Sequence, residues 1–150
     1  NVAGTLNATG NITANNFIAG NGTGGNITNA NVISANTFTA SNVNLTAYKE
    51  TVIAGGNTGA ATLTPNVATG TIFNYTLTGN ITINALGNAL AGSSAVLILT
   101  QDATGNRLLS STMKFAGNSK TLSTAASSID IMSVFYDGTT YYASLTKGYA

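Results

Sequence analysis

Gly10-Asn11-Ile12-Thr13-Ala14-Asn15-Asn16-Phe17 returns fifteen positions later as Gly25-Asn26-Ile27-Thr28-Asn29-Ala30-Asn31-Val32. A helix requires apolar residues three and four positions apart, and a half-buried strand requires strict alternation. The large apolar residues here follow neither rule, because they recur at spacings of 5, 10, 5, 6 and 5. They are Ile12, Phe17, Ile27, Val32, Phe38 and Val43. Such a short period suits a chain that winds and turns one side chain per segment towards an axis.

A single copy of this repeat offers too little apolar surface to fold alone. The missing surface is expected to come from identical chains, because one repeat segment cannot bury its own apolar side chain. The repeat therefore predicts a fibrous homo-oligomer.

The composition indicates an extracellular β-protein kept in solution by amides and hydroxyls. Charged residues make up 6% of the 150 residues, against about a quarter in a typical domain. The net charge of +1 gives no attraction towards nucleic acid or anionic lipid. The longest apolar run covers residues 95–99, far short of the ~20 residues that a membrane-spanning helix needs. We therefore expect neither a nucleic-acid partner nor membrane insertion.

Several kinds of active site lack their usual residues, since the chain has no cysteine, histidine or tryptophan. Its four carboxylates, Glu50, Asp102, Asp130 and Asp137, fall at a boundary, in a turn, in a strand and in a turn. Glycan hydrolysis needs two carboxylates facing one cleft, so we predict no enzyme and no cofactor. Asp102 lies in a loop rich in oxygen atoms, but one carboxylate is a poor calcium site. A plain turn is favoured there, and we predict no metal site.

The repeat ends near residues 45–48, and Lys49-Glu50 is the only adjacent pair of charged residues. This point divides the chain into a repetitive shaft, residues 1–48, and a head domain, residues 49–150. Runs rich in Thr, Val and Ile, bounded by Gly, Asn and Asp, predict strands in the head. The predicted strands are 51–54, 60–64, 71–77, 80–85, 95–100, 107–109, 112–115, 129–136 and 140–146.

Turn residues predict how some of these strands connect. Asp137-Gly138 between two strand-like runs favours a hairpin with a type I′ turn. Thr78-Gly79-Asn80 predicts a second tight reversal. Val96-Leu97-Ile98-Leu99 is apolar at every position and predicts a central strand covered on both faces. About nine short strands with turns between them predict a β-sandwich or jelly-roll-like domain.

The head also resembles the C-terminal β-domain of tailed-bacteriophage tail fibres and related virion proteins. Three phrases carry the resemblance, within residues 62–150. They are Tyr75-Thr76-Leu77-Thr78-Gly79-Asn80-Ile81-Thr82-Ile83, Leu97-Ile98-Leu99-Thr100-Gln101-Asp102-Ala103-Thr104-Gly105-Asn106-Arg107 and Val134-Phe135-Tyr136-Asp137-Gly138-Thr139-Thr140-Tyr141-Tyr142. The repeat in front is similar to the shafts of such fibres. One departure matters: a tryptophan-rich strand expected after the Gln101-Asp102 turn is replaced by residues 108–115, so no binding role of tryptophan transfers.

The resemblance implies a homotrimer within an extracellular phage particle, with a target on the host cell surface. It implies an all-β fold: a short trimeric β-helical or β-prism shaft followed by the sandwich head. The six apolar repeat residues would then stack along a three-fold axis. The resemblance supplies no catalytic residues, and the target would be a surface glycan or protein.

The aromatic residues around the Asp-Gly hairpin are the best candidates for receptor contact, since tyrosine offers a rigid apolar face with a hydroxyl. These candidates are Tyr136, Asp137, Thr139, Tyr141 and Tyr142. Alternate tyrosines in strands also pack in a core or a subunit interface, and we expect that for at least two of them. A purely structural capsid fibre, decoration or trimerisation tip fits the same sequence. A Thr-rich surface- or ice-binding repeat protein is a remote alternative, because the Thr-x-Thr triplets lack a fixed period.

Overall fold

The structure, a computed structural model, describes Thr39 and residues 42–149. The chain divides into two units, Asn1–Asn44 and Leu45–Ala150, and all strands of the described residues lie in the second. The predicted boundary between residues 48 and 49 stays a prediction. Residues 42–50 are exposed and form no helix or strand.

The described residues form an all-β fold, as the sequence predicts, with one short 3₁₀ turn at Ala116–Asn118. No helix in this part of the chain is long and apolar enough to cross a membrane. Each of the nine predicted strands corresponds to an observed strand. The strands are β1 (Val52–Asn57), β2 (Ala61–Leu63), β3 (Ile72–Leu77), β4 (Ile81–Ile83), β5 (Ser94–Gln101), β6 (Leu109–Ser110), β7 (Lys114–Phe115), β8 (Ile129–Tyr136) and β9 (Tyr141–Tyr149).

The strands form two sheets, a six-stranded one in the order β1-β3-β5-β8-β9-β7 and a three-stranded one in the order β2-β4-β6. β1, β3 and β5 pair in parallel, and so do β2, β4 and β6. The chain therefore passes from the large sheet to the small one three times, and the passes stack as three rungs of a β-solenoid. Parallel pairing of successive rungs differs from the antiparallel pairing of a jelly roll.

The predicted reversal at Thr78-Gly79-Asn80 is wrong as a hairpin. β3 and β4, on either side of it, belong to different sheets, so these residues form a corner of the rung. The corner packs closely on the corner of the preceding rung: the Gly59 amide donates to Thr78 Oγ1 at 2.9 Å. A Cβ on Gly79 would lie 2.4 Å from the Ala60 nitrogen, so only glycine fits here.

A recurrence at twenty residues underlies the stacking of the first two rungs. Thr58-Gly59-Ala60-Ala61-Thr62-Leu63-Thr64 matches Thr78-Gly79-Asn80-Ile81-Thr82-Ile83-Asn84 in the positions of Thr, Gly, Thr and the aliphatic residue. The register follows the same offset, since Ala61 pairs with Ile81 and Leu63 with Ile83. This recurrence is the sequence signal for parallel pairing. Its period of twenty residues is longer than the five- and six-residue spacings of the repeat in residues 12–43.

Apolar side chains of both sheets share one core. Alternate residues point inwards, so β5 contributes Ala95, Leu97 and Leu99 while β4 contributes Ile81 and Ile83. The remaining buried apolar residues are Phe73, Leu77, Leu86, Leu109, Met113, Leu122, Met132, Val134 and Ala143.

The position of β5 in the sheet is as predicted, but its covering is not. β5 lies between β3 and β8, which makes it a central strand. Its inward side chains are buried, whereas Val96 and Ile98 on the other side are only half-buried. The large sheet of a single chain is therefore covered on one face only, whereas the sequence predicts that both faces are covered. β8 and β9 extend this sheet as an antiparallel hairpin.

Buried polar groups connect the end of β5 to the last two strands. The Gln101 side chain accepts from the Arg107 amide at 2.8 Å and donates to the Ser123 carbonyl at 2.8 Å. The Asp130 carboxylate is 1% exposed and accepts from the Ser123 amide and hydroxyl and from the Gly148 amide. A buried carboxylate is tolerated where such donors surround it, so Asp130 is a structural residue.

Candidate functional site

The five predicted contact residues lie together on the β8–β9 hairpin, but strand alternation divides them between two faces. Tyr136 and Tyr141 follow the inward positions of their strands and are half-buried. Tyr142 points to the opposite face and is 44% exposed. Asp137 and Thr139 lie in the exposed loop between the strands. The hairpin therefore presents two adjoining surfaces, its tip and the outward side of the sheet, and the Tyr142 side chain lies near Asp137 where they meet.

The two inward tyrosines form a rigid base for the tip. Tyr136 pairs with Tyr141 across the strands, and their rings stack with centroids 4.3 Å apart. The Tyr136 hydroxyl donates to the Gly138 carbonyl at 2.8 Å, and the Tyr141 hydroxyl donates to the Leu86 carbonyl at 3.3 Å. Both hydroxyls are therefore already occupied by the protein's own backbone.

The Asp137 carboxylate holds the turn in shape. Its Oδ1 accepts from the amides of Thr139 and Thr140, each at 2.7 Å, and its own amide donates to the Thr140 carbonyl at 3.2 Å. The Thr140 and Thr139 amides lower the pKa of Asp137 below its ordinary value, because hydrogen bonds favour the charged form. The tip is thus a fixed loop with a negative charge on it.

The turn is not of type I′. That type needs positive φ at both central residues, but only Gly138, at φ 104°, is positive in this loop. Tyr136 pairs with Tyr141, so four residues close the hairpin instead of two. The Asp137 side chain stabilises this longer loop by accepting hydrogen bonds from two of its amides, as Asp commonly does in turns.

Tyr142 shares the outward side of the sheet with Phe135, which is not among the five predicted contact residues. The two are cross-strand partners and are 44% and 45% exposed. They border an open cleft of about 440 Å³ that Ser94, Val96 and Ser133 also line. Lys114 Nζ lies 6.0 Å from the centre of the Tyr142 ring. Alternation along β8 would have found Phe135, because Val134 and Tyr136 on either side point inwards.

Each carboxylate of the described residues already has hydrogen-bond partners within the chain. Glu50 accepts from the Thr71 hydroxyl at 2.9 Å. Asp102 pairs with Arg107, whose Nη2 lies 2.6 Å from Oδ2, and also accepts from two loop amides. Asp102 is thus a turn residue, as the sequence favours. Within the part of the chain that the structure describes, no three acidic, histidine or cysteine side chains gather as a metal ligand set.

Most of the predicted axial residues cannot be placed. Ile12, Phe17, Ile27, Val32 and Phe38 lie outside the described residues. Val43 is described, and the single chain leaves it 54% exposed. The stacking of these residues along an axis therefore stays a prediction.

Comparison with known proteins identifies the family. The family model described as "Putative phage tail fibre C-terminal domain" matches residues 63–141, which include most of the β-solenoid and the whole hairpin tip. No curated protein matches the chain, and no solved structure matches it. The match covers more than half of the 150 residues and includes the phrases that carry the resemblance to tail fibres, except for the final Tyr142. The chain belongs to the family of phage tail fibre C-terminal domains.

Proposed function

We propose that this chain is the distal part of a trimeric, non-enzymatic fibre of the phage particle, and that its β8–β9 hairpin tip contacts the host cell surface. Membership of the tail fibre family supports a structural role in the virion. The finer elements of the proposal, which are the trimer, the lack of catalysis and host contact, rest on separate observations.

A structural role without catalysis is supported by how the carboxylates are used. A glycan-cleaving site needs two carboxylates free to face one substrate. Asp102 is paired with Arg107, Asp130 is buried under three hydrogen bonds, and Asp137 binds the turn amides. All three carboxylates thus have structural partners within the chain.

A trimer is supported by the apolar residues that a single chain leaves uncovered. Val43, Leu45 and Tyr48 are 54%, 60% and 76% exposed. Val43 is the last member of the apolar series that is expected to need partner chains, and Leu45 and Tyr48 come directly after it. Identical chains arranged about one axis would cover such residues with copies of themselves.

One observation supports host contact: hydrogen bonds and ring stacking already hold the hairpin tip in one conformation. Asp137 fixes two amides of the loop, and the stacked pair of Tyr136 and Tyr141 fixes the strands below it. A loop that is already ordered loses little conformational entropy on binding. Three copies of a weak contact on one fibre would add avidity. Asp137 and Thr139 would touch the receptor, with the tyrosines as supporting residues.

The test is binding of the labelled full chain to host cells. Thr139→Ala removes an exposed side chain while its amide keeps the bond to Asp137, and Asp137→Asn removes the charge while keeping an oxygen acceptor. We expect each variant to bind several-fold more weakly, since truncating a residue that contributes to binding energy costs about 1 kcal/mol or more. Thr62→Ala, an exposed threonine on β2, is the matched control.

Two results would contradict the proposal in different ways. Full binding by both hairpin variants, with unchanged mass and circular dichroism, would remove the tip from the receptor site. No binding to host cells by the unaltered chain would favour the purely structural alternative.

A further inference from the structure

We infer that the outward side of the six-stranded sheet is an interface with neighbouring copies of this chain. This outer face comprises the side chains of the large sheet that point away from the core. Its apolar members include Val52, Ile72, Val96, Ile98, Ile131 and Phe135, all half-buried or exposed. The inference rests on the proposed trimer, and it names a surface through which the head domains would touch.

The register makes this apolar surface continuous. Val52, Ile72 and Val96 are consecutive partners across β1, β3 and β5. In the neighbouring rows Ile98 pairs with Ile131 on β8, and Phe135 pairs with Tyr142 on β9. Side chains at such partner positions lie within contact distance on one face. Contiguous apolar patches of this kind mark interaction sites.

The small sheet of the same molecule supplies the contrast. Its outward positions are Thr62, Thr82 and Ser110, which are also consecutive partners in the register. A solvent-facing side of a sheet is expected to be polar, and this side is. The two outward faces thus differ in chemistry, because the large one adds six or more apolar side chains to polar ones such as Asn74, Ser133 and Ser144.

Sheet topology and charge point to an identical chain as the occupant. Parallel sheets are normally covered on both faces, and β1, β3 and β5 form a parallel set. No charged residue lies among the outward positions of β1, β3, β5 and β8. Lys114 pairs with Tyr142 in the register at the β7 edge, whereas the part of the face formed by β1, β3, β5 and β8 is neutral. That part attracts neither nucleic acid nor anionic lipid, and it does not repel a copy of itself.

The size of the outer face fits one partner's share of a modest interface. Five strands spaced about 4.8 Å apart, with about six residues each at 3.3 Å, span a surface of about 24 by 20 Å. This footprint of about 480 Å² is smaller than the roughly 800 Å² that each partner buries in a standard interface, so the contact between heads would be weak by itself. Chains tethered through the shaft would also meet at high effective concentration.

The absence of cysteine from the chain allows a clean test by labelling single cysteines in the full chain. Ser133→Cys and Ser144→Cys are near-isosteric changes at exposed outward positions of β8 and β9. Ser110→Cys on β6 is the matched control, exposed on the small sheet. The rate of maleimide modification is measured for the native and the denatured chain, and the native mass by light scattering.

We expect the native-to-denatured rate ratio of Ser133→Cys and Ser144→Cys to be lower than that of Ser110→Cys by about tenfold or more, because an interface core excludes solvent and reagent. Equal ratios in a chain with the mass of three copies would overturn the inference and leave the trimer standing. A single-chain mass for the unaltered protein would overturn both.

Discussion

At Gly79 the second rung approaches the first more closely than any side chain would permit. A Cβ at this position would lie 2.4 Å from the Ala60 nitrogen and 2.6 Å from the Gly59 carbonyl carbon. Both are backbone atoms of the preceding corner, so no rotamer change could relieve the contact. The corner therefore depends on glycine because of close packing between rungs.

We predict that Gly79→Ala lowers the free energy of unfolding by about 1–3 kcal/mol, the usual cost of overpacking a tight site. Gly87→Ala is the matched control, because its Cβ would meet nothing nearer than 3.5 Å, an ordinary contact. Denaturant unfolding followed by circular dichroism measures both variants. Equal stabilities for the two variants would show that the rungs separate easily.

Asp102 couples the stability of the β5–β6 corner to pH. The hydrogen bonds from Arg107 hold the pKa of this carboxyl below its ordinary value of 3.8, and the Gly105 and Thr104 amides act in the same direction. A lowered folded-state pKa means that the stabilisation is fully present above pH 3.8. It is lost as pH falls further, through the folded-state pKa.

We therefore predict that Asp102→Asn weakens the acid sensitivity of the fold. The midpoint of thermal unfolding should fall less between about pH 6 and about pH 2.5 in the variant than in the unaltered chain. Asp137→Asn should reduce the acid sensitivity further and independently, since the Thr140 and Thr139 amides also lower the pKa of the Asp137 carboxyl. An unchanged acid response in Asp102→Asn would mean that Arg107 does not stabilise the charged form in solution.

At the scale of elements, the sequence predicted the strands and the β8–β9 pair, but not how the other strands pair. Alternating Thr, Val and Ile between turn residues is a local signal, and all nine strands were found by it. Pairing is not local, because a period of two is the same in parallel and antiparallel strands. The signal for parallel pairing was the return of Thr58-Gly59 as Thr78-Gly79 after one rung. A pattern based on five-residue spacings does not detect a period of twenty.

The position of the candidate site was also predictable from a local signal, but the detailed geometry of its turn was not. Asp-Gly between two strand-like runs predicted the β8–β9 hairpin and so brought the five contact residues together. The type of turn was missed, because it depends on two hydrogen bonds accepted by the Asp137 side chain. Alternation decided which tyrosines point inwards, and applying it to β8 would have added Phe135 to the outward set.

Asparagines at the corners connect successive rungs, which gives one structural reason for the many asparagines of the head. Asn80 Oδ1 accepts from the Leu108 amide and Asn84 Oδ1 from the Thr112 amide, both at 3.0 Å. Each bond satisfies a backbone donor where the chain leaves the sheet and the ladder provides no partner. Amide side chains at corners can thus perform in a solenoid the role that capping residues perform in helices.

At the scale of the whole molecule, the second unit has its own core, and the first residues of that unit take no part in it. The buried apolar cluster lies entirely between Phe73 and Ala143. Residues 42–50 are exposed throughout, including Leu45 and Tyr48. Exposed apolar residues at this density favour burial against partner chains, and the outer face of the large sheet would add a second area of contact.

We predict that the full chain has a mass of about 45 kDa, three times the 15.0 kDa of one chain, at every concentration accessible to light scattering. A shortened chain beginning at Leu45 keeps the core of the second unit but loses the repeat, so only the head contact would hold its copies together. We expect it to dissociate on dilution, because without the shaft the effective concentration of neighbouring heads is lost. A shortened chain that stays trimeric when diluted would make the head the driver of assembly, and a full chain of 15.0 kDa would contradict the axial stacking of Ile12 and its counterparts.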